Sequence, residues 1–240
     1  KGFFMGFLDN EPVSSISAVK YDDLFGFIGF YIVKPEHRGK GYGYHIWKEA
    51  MKYLNGFVIG LDGVLTQQAT YKLSGFTLAY RNIRYEGKGK DSTVPNNNIM
   101  PLSEIPFHTL LSYDATIFPV TRQKFLKLWI TQPESLSIGY MENNTLSGYG
   151  IVRKCGIGYK VGPLFADNEL AADALFDQLR SYIGSKTPIF LDVPEAHSAG
   201  VAFAKKYHMT PMFETARMYH GNAPHVPLHK VYGVTSFELG

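Results

Sequence analysis

The 240-residue sequence contains little cysteine, little net charge and no long apolar run. Its one cysteine, Cys155, cannot form an internal disulfide, so we expect a reducing compartment and a cytoplasmic protein. The net charge of +3 is too small to indicate a nucleic-acid partner, because phosphate binding needs concentrated basic surface. No apolar run approaches the roughly 18 residues of a membrane-spanning helix, so no membrane partner is expected.

Aromatic residues are abundant, with 16 Tyr and 17 Phe, and such residues favour β-strands. Two β-prone stretches, 3–8 and 12–20, are joined by turn-forming residues and are predicted to form a hairpin. The sequence opens within the first of these strands and has no initiator Met, so we expect upstream sequence to be missing. The stretch 25–33 is apolar at odd and even positions, which predicts a central strand. Similar patterns predict a helix over 43–54, a strand over 57–61, a helix over 64–73 and a strand over 76–85.

A polar stretch over 87–98 is predicted to be a solvated linker between an N-terminal lobe, 1–86, and a C-terminal lobe, 99–240. The element order of the first lobe returns in the second. Further helices are predicted over 104–113, 122–130, 168–183 and 196–207, and further strands over 135–142, 146–154, 157–165, 188–193 and 212–219.

Short echoes of sequence support a duplication of the two lobes. The stretch 60–64 contains Asp62 where 190–194 contains Asp192, and 81–85 corresponds to 215–219. A repeat of this length indicates a duplicated domain and not a solenoid. We therefore predict an α/β (α+β) protein of two similar lobes, each with a mixed, mostly antiparallel twisted sheet flanked by helices.

The most informative stretch runs from Val33 to Gly43, between the predicted central strand and the helix over 43–54. Its glycines at 39, 41 and 43 allow the backbone to curl closely, so that successive N–H groups can face one anion at the positive end of the helix. The alternative is a glycine-rich turn without a ligand. The spacing matches neither a Walker loop nor the dinucleotide pattern G-x-G-x-x-G.

The pattern Arg38-x-x-Gly41-x-Gly43, preceded by Val33-x-Pro35, resembles motif A of the GNAT superfamily of N-acetyltransferases. This resemblance implies that acetyl-CoA is the cosubstrate. It implies that the loop amides bind the coenzyme A pyrophosphate, and the matching residues are Arg38, Gly39, Lys40, Gly41, Tyr42, Gly43 and Tyr44. It also implies that backbone groups of Ile32 and Val33 pair with the pantetheine arm, and that the Val33 N–H polarises the thioester carbonyl.

The stretch Tyr71-Lys72-Leu73-Ser74-Gly75-Phe76 resembles motif B of the same superfamily. The resemblance implies that Tyr71 is the general acid that protonates the departing thiolate of coenzyme A. The alternative for Tyr71 is a tyrosine that only packs on the sheet. The usual Asn and Ala upstream are Val64 and Gln67 here.

A general base is not evident in the sequence. The predicted strand over 25–33 has no carboxylate, and Asp62, Asp22 and Asp23 are the remaining candidates. Each of them also fits a turn or a helix cap. A water relay, or an amine that arrives neutral, is an equal alternative.

The second lobe departs from the motifs. Its loop over 162–167 contains Pro163 and lacks the glycine pattern, and Ala204 stands where Tyr71 stands in the first lobe. Asp167 is predicted to cap the helix over 168–183. We interpret this lobe as structural and acceptor-shaping.

The resemblance implies an N-acetyltransferase in which a primary amine attacks acetyl-CoA directly in a ternary complex. No metal is expected. The partner is expected to be a small-molecule amine or a peptide amine, and the sequence leaves both the acceptor and the oligomeric state open. The alternative function is a non-catalytic acyl-CoA binding or sensing protein.

Overall fold

The computed structural model describes residues 2–21 and 24–240. Its strands are β1 Phe3–Leu8, β2 Glu11–Tyr21, β3 Phe25–Val33, β4 Val58–Val64, β5 Phe76–Lys88, β6 Ile99–Pro101, β7 Ser135–Glu142, β8 Thr145–Lys154, β9 Tyr159–Ala166, β10 Pro188–Pro194, β11 Thr210–His220 and β12 Val231–Gly233. Its α-helices are α1 Tyr42–Tyr53, α2 Gln68–Leu73, α3 Phe107–Ala115, α4 Gln123–Trp129, α5 Glu169–Ile183 and α6 Ser198–Lys206.

These elements follow the predicted order closely, but β6 and β12 were not predicted. Each of these two strands has only three residues, which is too short to give a periodic pattern. The predicted helix over 64–73 is a 3-10 turn, Leu65–Gln67, followed by the short helix α2. The predicted fold class, a mixed and mostly antiparallel sheet flanked by helices, is confirmed.

The chain divides into two compact units. The first unit contains Lys1–Ala79, Thr215–Pro224 and Phe237–Gly240. The second contains Tyr80–Glu214 and His225–Ser236. The units therefore differ from the continuous lobes 1–86 and 99–240 that the sequence predicts. The first unit takes up 215–224 and 237–240 from the C-terminal part of the chain, and the second unit takes up 225–236.

In the first unit the strand order is β1-β2-β3-β4-β11, followed by the first residues of β5. Strands β3 and β4 are parallel, whereas β1, β2 and β11 pair antiparallel with their neighbours. Helix α1 packs on this sheet through Ile46, Trp47 and Ala50, which recur at helical spacing and are buried. The central strand and the helix were both predicted from these apolar patterns.

In the second unit the strand order is β5-β10-β9-β8-β7-β6, and β12 pairs with β9. Helix α5 covers β7, β8 and β9 through a fully buried stripe that includes Leu175, Phe176 and Leu179. Helix α6 adds Phe203 to the same core.

Two strands explain why the units are interleaved. Strand β11, from the end of the chain, pairs with β4 in the first unit, and Arg217 lies opposite Asp62. Strand β5 pairs with β10 in the second unit, where Arg84 lies opposite Asp192. Both arginines form two-pronged ion pairs with their aspartates, at 2.9 and 2.6 Å for Arg217 and at 2.7 and 2.9 Å for Arg84. The echoed stretches thus pair with each other in both units, but the pairing makes Arg84 equivalent to Arg217 and so shifts the correspondence of 81–85 with 215–219 by one residue.

Candidate active site

The strands β3 and β4 enclose a cleft in the first unit. They pair from Phe25 opposite Val58 to Ile28 opposite Leu61 and then separate, although β3 continues to Val33 and β4 to Val64. A bulge on β3 accompanies the separation. The register with β2 shifts at this point, and Phe30 has a left-handed φ of 48°. The facing edges of both strands beyond Ile28 and Leu61 are therefore open to a ligand.

The backbone of Val33 faces this cleft. The next residue, Lys34, donates its N–H to the Val13 carbonyl on β2 at 3.0 Å. Because backbone groups of neighbouring strand residues point in alternate directions, Val33 faces the cleft and Ile32 faces β2. The Val33 carbonyl accepts a hydrogen bond from Arg38 Nε at 3.1 Å, and the N–H of the same residue points to the same side of the strand, toward the cleft. Of the two predicted pantetheine contacts, the geometry favours Val33 over Ile32.

The loop before α1 presents a group of free backbone donors, here called the amide nest. It comprises the N–H groups of Gly39, Lys40, Gly41, Tyr42, Gly43 and Tyr44, which donate to no other residue that the structure describes. Gly39 and Gly41 have φ of 73° and 87°, which other residues rarely adopt. A Cβ at either position would meet nothing within 4 Å, so space for a ligand remains beside the backbone.

The Arg38 amide is a correction to the predicted set. Its N–H donates to the Pro35 carbonyl at 3.2 Å and is therefore not free. The arginine instead uses its side chain to connect the loop to β3 through Val33. Helix α1 begins after Gly41, which has no side chain to cap the first helical N–H groups. The nest is consequently suited to an anion.

Tyr71 lies beside the cleft on α2. Its ring packs so closely on β4 that a Cβ at Gly63 would collide with it, and Trp47 packs against its other side at 5.6 Å between ring centroids. The residue is 8% exposed, and its hydroxyl makes no hydrogen bond to any residue in the described part of the chain. Burial, followed by the nearby Tyr31, raises the pKa of Tyr71 to about 12. The phenol is therefore protonated at neutral pH and can donate its proton.

The structure removes Asp62 from the candidate bases. Its side chain is fully buried in β4 and is held by Arg217, so it neither caps a helix nor presents a free carboxylate. Arg217 lies in turn over the Phe27 ring at 5.0 Å. The other two candidates, Asp22 and Asp23, lie outside the described residues.

The second unit has a corresponding gap, but a strand of the chain fills it. Strands β9 and β10 pair from Tyr159 opposite Ile189 to Val161 opposite Leu191. Beyond this point β12 enters between them. On one side Val231 and Gly233 pair with β9. On the other side the N–H of Val234 donates to the Asp192 carbonyl of β10 at 2.9 Å. The open strand edges of this gap are thus satisfied by the chain itself.

Side chains complete the closure of the second gap. Tyr232 of β12 is 3% exposed and packs against the rings of His197 and Phe203. The His197 Nδ1 lies 3.0 Å from the Val231 carbonyl. Ala204, in the position of the predicted acid, is fully buried and offers no proton.

The start of α5 carries a side-chain cap, unlike the start of α1. Asn168, and not the predicted Asp167, is its N-cap, and the Asn168 side chain accepts a hydrogen bond from the Ala171 N–H at 2.9 Å. Asp167 instead pairs with Lys230 at 3.0 Å. The predicted absence of a cofactor loop in this lobe thus has a structural counterpart.

Sequence reasoning missed the Phe30 bulge, the tie from Arg38 to Val33 and the occupation of the second gap by β12. No local sequence pattern predicts the bulge, because phenylalanine rarely adopts a left-handed φ. The tie and the inserted strand depend on contacts between residues that the sequence pattern does not connect.

Comparisons with known proteins agree with this geometry. Residues 1–76 match the acetyltransferase (GNAT) family, and residues 110–233 match an acetyltransferase (GNAT) domain. Holothin acyltransferase of Pseudoalteromonas sp. (strain SANK 73390) is 31% identical over 245 residues, which cover all of this chain and 82% of that protein.

Solved structures share the fold. A candidate acetyltransferase from Pyrococcus horikoshii superposes with a TM-score of 0.86 at 21% identity, covering 100% of this chain and 80% of that one. A tandem GNAT protein from the clavulanic acid biosynthesis pathway superposes with a TM-score of 0.61 at 12% identity, covering 90% and 82%.

The structure also bears on metal ions and membranes. Residues 2–21 and 24–240 contain no group of three or more His, Cys, Asp or Glu side chains placed to hold a metal ion. Within the same residues no helix is long and apolar enough to cross a membrane. Both halves of the sequence match GNAT domains and a full-length relative is an acyltransferase, so the chain belongs to the GNAT acetyltransferase family and is an acyltransferase.

Proposed function

We propose that this acyltransferase moves the acetyl group of acetyl-CoA to a primary amine of a small molecule, by direct attack in a ternary complex. One observation carries the proposal: the open cleft between β3 and β4 has the amide nest at its mouth and the protonated Tyr71 phenol at its side. The cleft thus combines an anion site with a proton donor.

The residues of the first unit fit coenzyme A. The nest would bind the pyrophosphate, and each charge-assisted hydrogen bond contributes about 1.5 to 3 kcal/mol. The dipole of α1 adds only about 0.3 to 1 kcal/mol at such an end, so the directed N–H groups dominate. The Val33 N–H would bind along the pantetheine arm or at the thioester.

Acetyl-CoA supplies an activated carbonyl and a thiolate leaving group. Val33 directs its N–H to the cleft, where it can stabilise negative charge that develops on the carbonyl oxygen. Tyr71 donates its proton to the sulfur as the C–S bond breaks and the new C–N bond forms. The raised pKa means that the phenol carries its proton at neutral pH, as a proton donor must. The amine arrives neutral or first loses a proton to water, and the proton that its nitrogen gives up on forming the amide returns through water to the Tyr71 phenolate.

The acceptor proposal draws on the relative that is named for one compound, holothin. We propose a small-molecule amine for this chain, and a peptide amine is the alternative. The two acceptors can be distinguished with a panel of small amines and short peptides. Each is incubated with the chain and acetyl-CoA, and the release of the free thiol of coenzyme A is measured.

Tyr71→Phe tests the catalytic role. We expect kcat to fall about 100-fold or more, since general acid catalysis contributes that much, while the Kd for acetyl-CoA stays unchanged. The matched control is Tyr219→Phe, which removes a buried hydroxyl of the first unit that has no hydrogen-bond partner among residues 2–21 and 24–240. An active Tyr71→Phe enzyme, or a parent chain that binds acetyl-CoA without turnover of any amine, would contradict the proposal.

A further inference from the structure

A second phenol, Tyr31, belongs to the same group of aromatic rings as Tyr71. It follows the bulge residue Phe30 on β3, and its ring packs on Trp47 at 5.4 Å between centroids. The same indole packs on Tyr71 at 5.6 Å. One tryptophan of α1 therefore holds both tyrosines.

The hydroxyl of Tyr31 lies at the first turn of α1. A Cβ built on Gly43 would be 2.7 Å from the Tyr31 hydroxyl oxygen and 3.0 Å from Val33 Cγ2. A side chain at position 43 would require the Tyr31 phenol to shift from this space. The third glycine of the loop thus has a role that differs from the first two, whose side-chain positions are open.

The Tyr31 hydroxyl is unused within the described part of the chain. It forms no hydrogen bond to a residue there, although the ring is held and the residue is half-buried. Burial raises the pKa of Tyr31, so the hydroxyl is a neutral donor at physiological pH. Tyr31 and Tyr71 pack on the same Trp47 ring, so the two phenols are near each other. A polar group placed this way is suited to a ligand atom.

The position along β3 indicates which part of the ligand is involved. Tyr31 lies three residues beyond Ile28, where the pairing of β3 with β4 ends. It lies two residues before Val33, which Arg38 connects to the loop of the nest. The Tyr31 hydroxyl lies beside Gly43 at the inner end of the nest, and its ring packs on the same Trp47 as Tyr71, so the residue connects the nest to Tyr71. The pantetheine arm connects the pyrophosphate to the reacting sulfur and carries amide oxygens that accept hydrogen bonds.

We propose that Tyr31 is a positioning residue whose hydroxyl donates to an amide oxygen of the pantetheine arm and so places the thioester beside Tyr71. This inference rests on the proposed function of the first unit. It adds a specific contact between the anion site and the acid, made by a side chain that neither sequence motif includes.

The test is Tyr31→Phe, which keeps the ring on Trp47 and removes only the hydroxyl. We expect the Kd for coenzyme A and the KM for acetyl-CoA to rise about tenfold, the effect of one lost hydrogen bond. We expect kcat to change little, in contrast to Tyr71→Phe. The affinity for 3′,5′-ADP, which lacks the pantetheine arm, should stay the same.

Tyr53→Phe is the matched control, because Tyr53 is a tyrosine of α1 whose ring contacts Phe4 and lies outside the cleft. It should leave all three affinities unchanged. Equal losses for coenzyme A and 3′,5′-ADP in Tyr31→Phe would place the hydroxyl on phosphate and overturn the inference, as would no loss at all. Failure of the unaltered chain to bind acetyl-CoA would instead overturn the proposed function.

Discussion

The first unit leaves the gap between β3 and β4 open, whereas the second unit fills the gap between β9 and β10 with β12. In both, two parallel strands pair briefly and then separate, so the fold creates the same opening twice. The difference lies in what satisfies the exposed strand edges. In the second unit the chain supplies the hydrogen bonds, and in the first they remain for a ligand.

The helices that follow β3 and β9 also differ, in whether a side chain caps their first N–H groups. Helix α1 begins after Gly41 and has no side-chain cap, whereas α5 begins after Asn168, whose side chain caps it. A capped start has fewer free N–H groups for an anion. One fold thus supports a binding site or a closed core, depending on a few residues at the strand-to-helix junction and on one three-residue strand.

The largest expected effect tests the nest of the first unit. Gly41→Glu should weaken acetyl-CoA binding more than about 100-fold, because it adds a negative charge and bulk where the pyrophosphate would bind. Gly56→Glu is the matched control, since Gly56 has the same φ of 87° and equally open space at its Cβ position but lies outside the loop. Calorimetric titration measures both. Equal losses in the two variants would place the binding site elsewhere.

The next comparison uses the paired aspartates of the two units. Asp62→Asn and Asp192→Asn should each lower the free energy of unfolding by about 3 to 5 kcal/mol, because the first leaves the buried Arg217 and the second leaves Arg84 and the buried Lys160 without a carboxylate. Only Asp62→Asn should also weaken acetyl-CoA binding, since it lies on the wall of the open cleft. Chemical denaturation and titration check the two effects. Weaker binding in Asp192→Asn would contradict the assignment of the cleft.

A third change acts on the strand that fills the second gap. Tyr232→Ala should lower the free energy of unfolding by about 3 kcal/mol, because it removes a buried ring from the core of the second unit. The titration should still give one acetyl-CoA per chain. If this variant or the unaltered chain bound two molecules of acetyl-CoA, the ligand would have displaced β12 from the second gap.

The smallest expected effect concerns pH. Unfolded Tyr71 loses its proton near pH 10, whereas the folded chain keeps it until about pH 12. Its contribution to stability is therefore complete below pH 10 and is lost as the pH rises to 12, with about 1.4 kcal/mol of the loss between pH 9 and 11. Denaturation of the parent and Tyr71→Phe at pH 9 and 11 isolates this contribution. The same loss in both proteins would show that the phenol is not shielded.

The local parts of the fold were predictable from the sequence. The buried strand over 25–33 and the amphipathic helix after it follow from apolar spacing. The glycines at 39 and 41 predict a tightly curled loop, and both have a positive φ in the structure. The hairpin of β1 and β2 follows from its turn residues, since Asp9 and Asn10 both adopt left-handed φ values.

The nonlocal parts were not predictable. The sequence echoes between 60–64 and 190–194 indicated a duplication, but not that β11 pairs with β4 and β5 with β10. Asp62 was therefore interpreted as a possible base, although its arginine partner lies 155 residues away. The role of Tyr31 also depends on a tertiary contact, with Gly43 of α1, that no spacing reveals.

The most direct test of the account is a crystal structure of the chain grown with acetyl-CoA. We expect one molecule, with its pyrophosphate on the N–H groups of residues 39–44, its pantetheine arm between β3 and β4, and β12 still paired with β9. Acetyl-CoA between β9 and β10 with β12 displaced, or a first unit without ligand at saturating acetyl-CoA, would contradict it.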